Sequence, residues 1–175
     1  MLTRPGGFMS DELFSIVVSQ LGKYMINTMF YFQGEPMLHP RFFDFLGMAR
    51  SMGVVISTNG HFIGSENVGE LVGSGARRII ISLDGIREDS YTAYRTGGDV
   101  EKVKEGIMLL GRKAAAVRNS PEIVVQVLVN RHNEGEIDEI RNFAVRARAR
   151  LSLKSMQLLS PGTGDNILPV NYSIL

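Results

Sequence analysis

The sequence has 175 residues, 44% of them hydrophobic and 21% charged, with a formal net charge of +1. That length and apolar content support one folded domain with a real core, and the near-neutral charge gives no electrostatic ground for a nucleic-acid partner. No run reaches the roughly 18 consecutive apolar residues of a membrane span, and MLTRPGGFMSDELF lacks the apolar stretch of a signal peptide.

Cysteine is absent, which removes disulfides, thiolate metal ligands and a cysteine nucleophile and fits a cytoplasmic location. In chain order, Ser10 is a predicted N-cap for a helix whose apolar stripe is Leu13, Phe14, Val17, Val18 and Leu21, ended by Gly22. A strand is expected over 27–32. Pro40 opens a second helix with Phe42, Phe45, Leu46 and Ala49 on one face and Gly53 past its end. A strand over 54–57, a short glycine-interrupted helix over 66–73 and a strand over 78–83 follow. Asp99 caps the next helix, which turns Val103, Ile107 and Leu110 inward. After a strand over 123–129, a helix is expected over 134–150, acidic in its first turns and basic in its last, as its dipole favours. A last strand is expected over 153–159.

The near-continuous apolar runs IIISL and IVVQVLV suit strands covered on both faces, and the alternation of strands with helices means βα units and a parallel sheet. Such a unit normally opens with a strand, whereas here a helix comes first, so the sheet reads as lacking its first strand. Residues 1–160 are expected to be one core, with 161–175 as an exit segment.

Each strand runs into glycine or polar residues: Gln33-Gly34-Glu35, Thr58-Asn59-Gly60, Asp84-Gly85 and Asn130-Arg131-His132-Asn133. In parallel α/β folds the ligand sits outside the carboxyl ends of the strands, where loops converge. Four ends decorated alike point to a polar small-molecule site. Taken singly, Asn59-Gly60 and Asp84-Gly85 are ordinary turn dipeptides, and Glu35 is a solvated loop carboxylate. His39, His61 and His132 lack metal-ligand spacing, and Arg141, Arg146, Arg148 and Arg150 read as a solvated helix end. No Ser–His–Asp order, Walker loop or GxGxxG is present. No catalytic side chain is singled out, and no metal ligand.

The ordered strings FQGEPMLHP, VVISTNG, IIISLDGIREDSYTAYR and VQVLVNRHN resemble the radical S-adenosylmethionine enzymes, and most closely the subgroup that carries a SPASM domain and matures peptides and sulfatases. The resemblance implies a partial parallel (β/α)6 barrel, S-adenosylmethionine and a [4Fe–4S] cluster at the strand ends, and a 5′-deoxyadenosyl radical that takes hydrogen from a peptide or other large substrate. By matching strings, Gly34 and Glu35 meet the methionyl amino group, and Ser82 and Arg95 hold its carboxylate and the neighbouring ribose. Thr58 and Asn59 line the floor, while Asn130 and Leu158 contact ribose and adenine.

There are two departures. Gln33 stands where a first glycine is usual, and the family's CxxxCxxC loop is missing. The missing loop and the missing strand share one explanation, that the chain is a piece of a longer enzyme and is inactive without the cluster cysteines. A cluster-less paralogue that binds S-adenosylmethionine or a protein partner is the alternative. A second is an unrelated barrel enzyme using Glu35, Asp84 and His39 for acid–base work. A bare sheet edge over 27–32, bearing TMFYF, is expected to drive self-association.

Overall fold

The computed structural model describes residues 6–31, 34–156 and 167–171. Five strands, β1 (Thr28–Phe30), β2 (Val54–Thr58), β3 (Arg78–Ser82), β4 (Glu122–Leu128) and β5 (Arg150–Lys154), form one parallel sheet in sequential order. Every neighbouring pair is parallel, and β1 and β5 form the two edges. The α/β barrel-like architecture expected from the sequence is therefore present as an open sheet.

Burial alternates along β2 and β3, whereas Ile123, Val124 and Val125 of β4 are buried in succession. Val54, Ile56 and Thr58 of β2 are buried, as are Ile79 and Ile81 of β3, and Val125 and Val127 of β4. This face packs on helices α2 (Phe42–Met48), α3 (Val68–Gly73), α5 (Val100–Ala115) and α6 (Ile137–Arg146) through Leu46, Leu71, Ile107, Leu110 and Ile140. Each of these apolar side chains contributes roughly 1.5–3 kcal/mol by leaving water. The opposite face carries Ser57, Ser82, Gln126 and Ser152 and is half exposed. That asymmetry leaves a polar face of the sheet partly exposed.

The caps behave as their side chains dictate. Ser10 accepts from the Leu13 amide at 3.2 Å and opens α1 (Asp11–Leu21), and Asp99 accepts from the Lys102 amide at 3.0 Å and opens α5. In α1 only Phe14 is buried, stacked on Phe45 at 4.0 Å; Leu13, Ile16 and Leu21 are about half exposed, and among the described residues no strand lies beyond β1 to cover them.

Three expectations are corrected. The helix over 134–150 is a 3-10 turn (Glu134–Glu136) followed by α6, which stops at Arg146. Arg148 takes a positive φ of 55° and turns the chain, so the alternating arginines of RARAR, which mimic a basic helix end, instead lead into a strand. The last strand accordingly starts at Arg150 and not at 153, because Arg150 meets Glu122 at 2.6 Å on the neighbouring strand. A seven-residue helix, α4 (Glu88–Tyr94), occupies the stretch EDSYTAY, where no helix is expected from the sequence.

Candidate functional site at the strand ends

The first strand-end loop is built around Glu35. Its Oε1 accepts from the Thr58 hydroxyl at 2.7 Å and from the Met37 amide at 3.1 Å, while Oε2 accepts from the Asn59 amide at 2.7 Å. One carboxylate thus ties the end of β1 to the end of β2. Three bonds leave part of its acceptor capacity for a ligand. Gly34 holds a φ of 106°, a conformation that side chains rarely adopt, and nothing lies within 4 Å of where its Cβ would be. The backbone there faces open space.

Gly60 has a φ of 84°, and a Cβ would stand 2.8 Å from Ile81, so only glycine lets the turn after β2 lie flat on β3. Thr58 is 3% exposed and donates to Glu35, so it braces the loop, whereas Asn59 lines a cleft of about 720 Å3 with His61, Arg95, Gly98 and Lys102.

The second cluster is at the end of β3. Asp84 is 2% exposed, and its Oδ2 receives the Arg95 Nε at 2.7 Å and an Nη at 2.6 Å. Its Oδ1 accepts from the Leu128 amide at 2.7 Å, which joins the ends of β3 and β4. Arg95 is 27% exposed, and its remaining Nη has no partner among the described residues. The Ser82 hydroxyl, two residues before Asp84 on the half-exposed face, is also without a partner among them. Next to this pair, burial pushes Tyr91 up to about 12, and it also raises Tyr94.

At the end of β4 the expectation for Asn130 changes in kind. Asn130 is fully buried, with Oδ1 accepting from the His132 amide at 2.8 Å and Nδ2 donating to the Leu128 carbonyl at 3.2 Å, so its side chain builds the loop. Asn133 does the same work across strands, donating to the Asp84 and Leu128 carbonyls at 3.0 Å each. Residues 167–171 return to this loop: the Arg131 amide donates to the Ile167 carbonyl, and Glu134 accepts from the Val170 and Asn171 amides at 2.7 and 2.9 Å. Leu158 lies outside the described residues.

The acid–base alternative finds no support in these contacts. Asp84 is buried and occupied by Arg95 and the Leu128 amide, Glu35 braces its loop through three bonds, and His39 accepts from the Arg41 amide at 3.0 Å and meets the Met9 carbonyl at 2.9 Å. Sequence reasoning missed Asp84 as the partner of Arg95, and it missed Gln126 and Ser152. Gln126 is in register with both Ser82 and Ser152, making a polar row across the half-exposed face. The lone glutamine in IVVQVLV was the available signal.

Residues 2–144 match the Radical SAM superfamily. The chain belongs to this superfamily. It is 25% identical over 167 residues to the GTP 3',8-cyclase of Clostridium botulinum, covering 93% of this chain and 50% of that protein. It is 26% identical over 166 residues to the mycofactocin maturase MftC of Mycobacterium ulcerans, covering 94% and 43%. The chain spans about half the length of the curated relatives it matches. Among solved structures, Streptococcus suis SuiB bound to S-adenosylmethionine superposes with a TM-score of 0.73 at 13% identity, covering 93% of this chain and 37% of that one. A domain of the Bacteroides vulgatus pyruvate-formate lyase-activating enzyme gives 0.63 at 14% identity, covering 84% and 86%. These likenesses show the radical SAM fold. Among the described residues no helix is long and apolar enough to cross a membrane.

Radical SAM enzymes as a family use S-adenosylmethionine and a [4Fe–4S] cluster. The donor set fits the first group, since a free guanidinium edge and a free hydroxyl suit a carboxylate, and the open backbone at Gly34 with residual acceptor capacity on Glu35 suits an ammonium. The cluster does not fit. Thiolates hold such clusters and the chain has none, and among the described residues no three His, Asp or Glu side chains gather to hold a metal.

Proposed function

We propose that these 175 residues are the S-adenosylmethionine-binding core of a radical SAM enzyme of the SPASM-type subgroup. The observation that carries the reading is the Asp84–Arg95 pair, which fixes a partly exposed guanidinium at the end of the strand that bears Ser82. Arg95 and Ser82 hold the methionyl carboxylate, Gly34 and Glu35 receive the ammonium, and Asn59 borders the ribose. Thr58 and Asn130 act through the loops they brace, and Leu158 is assigned to the adenine. When bound, this cofactor supplies hydrogen-abstracting chemistry in the family; the chain's own residues position it and shield it.

A peptide or other large substrate is the proposed target. Likeness to the mycofactocin maturase and to SuiB, which has been crystallised with its precursor peptide, supports that choice and the subgroup. Residues 1–160 are proposed as the core and 161–175 as a connecting segment. The cluster thiolates are proposed to come from polypeptide outside these residues, so the chain by itself binds the cofactor weakly and does not cleave it.

Calorimetry with S-adenosylmethionine and its decarboxylated analogue tests the assignment. Weaker binding of the analogue supports it, and equal affinity overturns it. Release of 5′-deoxyadenosine by the cysteine-free chain under reductant, with iron and sulfide supplied, would overturn the assignment of the thiolates.

A further inference from the structure

The cofactor assignment leaves His61 idle, although it lines the strand-end cleft with Asn59, Arg95 and Lys102. Its ring spans two walls of that cleft. The Asp99 amide meets Nε2 at 2.9 Å, and a backbone amide can only donate, so Nε2 carries a lone pair. The neutral ring then bears its proton on Nδ1, which faces the Asn59 Oδ1 at 3.3 Å. The His61 backbone amide donates to that same oxygen at 2.9 Å.

Two donors on one oxygen fix which way the Asn59 amide faces. Its NH2 has no partner among the described residues, while its oxygen is consumed within the turn. Asp99, the other anchor, caps α5 through the Lys102 amide and follows Gly98, whose amide donates to the Arg95 carbonyl at 2.9 Å. The histidine therefore latches the turn after β2 to the loop that carries Arg95.

We infer that His61, as the neutral Nδ1–H tautomer, is a positioning residue that turns the Asn59 amide NH2 toward the cleft and holds the Arg95 loop in place. The wall formed by Asn59, Arg95 and Lys102 then offers only hydrogen-bond donors, and it takes an acceptor-rich part of the ligand, a carboxylate or ribose oxygens. His61 itself touches no ligand. The inference rests on the reading that S-adenosylmethionine occupies this end of the sheet.

The test combines imidazole nitrogen NMR, amide hydrogen exchange and S-adenosylmethionine titration on the 175-residue chain with His61→Ala and His61→Gln. The imidazole spectrum should show a protonated Nδ1 and an accepting Nε2. The Asp99 amide should be protected in the parent, exposed in His61→Ala and protected again in His61→Gln, whose carbonyl can accept the same bond. Binding should weaken by roughly two- to tenfold in His61→Ala, the worth of one oriented hydrogen bond, and recover in His61→Gln. An Nε2–H tautomer, an Asp99 amide equally protected without the ring, or equal affinity of parent and His61→Ala would each overturn the inference. A parent that binds no S-adenosylmethionine overturns the proposed function instead, and the tautomer and exchange results then judge the latch by themselves.

Discussion

Replacing Asp84 with alanine removes three bonds at once: two from the Arg95 guanidinium, at 2.7 and 2.6 Å, and one from the Leu128 amide at 2.7 Å. Breaking a fully buried ion pair costs about 3–5 kcal/mol, and an orphaned buried amide about 1–3 kcal/mol. Asp84 is 2% exposed, but Arg95 is 27% exposed and borders the cleft, so water takes up part of the freed guanidinium. The loss should therefore lie at the lower end, about 3 kcal/mol, or roughly 6–12 °C in melting temperature for a chain of this size. Arg95→Ala leaves the less accessible partner stranded and should cost at least as much. The double mutant should be more stable than the sum of the single losses allows, because each single change strands the other's charge. Thermal and urea denaturation of the four proteins decide it. An Asp84→Ala loss below about 1 kcal/mol, or strict additivity, would refute the view that this pair is a buried structural unit.

The Tyr91 hydroxyl is buried with no hydrogen-bond partner among the described residues, and burial pushes the group from 10.0 up to about 12. A folded value above the unfolded one means stability is present below pH 10.0 and is lost as pH rises toward about 12, so melting of the parent should fall in that alkaline window while Tyr91→Phe keeps its neutral-pH stability and flattens the decline. Glu122 is held below its ordinary 4.5, chiefly by the hydrogen bond from Arg150 and further by Arg78. That contribution is present above pH 4.5 and lost as pH falls below it, and Glu122→Gln should remove this part of the acid limb; unchanged acid melting curves would contradict the pairing. Met29 on the edge strand β1 and Tyr31 just after it are each 52% exposed, so sedimentation should show concentration-dependent self-association that Met29→Lys reduces.

The sheet was legible in the sequence because its strands are apolar runs closed by turn residues, and because Ser10 and Asp99 announce helix starts by their side-chain chemistry. The end of α6 was not, since Arg146, Arg148 and Arg150 match the charge pattern of a helix terminus and the positive φ of Arg148 leaves no mark on composition. Ser82 and Asn59, singled out by their strings, stand at the ends of β3 and β2, and Arg95, at the C-terminal end of α4, reaches back to Asp84 just past β3. The partnerships were hidden. Asp84 with Arg95 is an 11-residue separation bridged by an unexpected helix, and Glu35 with Asn59 spans 24 residues, so neither follows from local pattern. Asn130 reads as a polar strand-end residue, but only the folded loop reveals that both ends of its amide are occupied.

The most direct test of the central claim is a titration of the isotope-labelled chain with S-adenosylmethionine, followed at each backbone amide, in the parent and in Arg95→Ala. The account predicts shifts concentrated at Gly34, Glu35, Asn59, Ser82 and Arg95, and binding weakened in the variant by roughly 1.5–3 kcal/mol, the usual worth of a hydrogen bond to a charged group. Shifts confined to the opposite end of the strands, around Arg78, Glu122 and Arg150, or an affinity unchanged by Arg95→Ala, would contradict it.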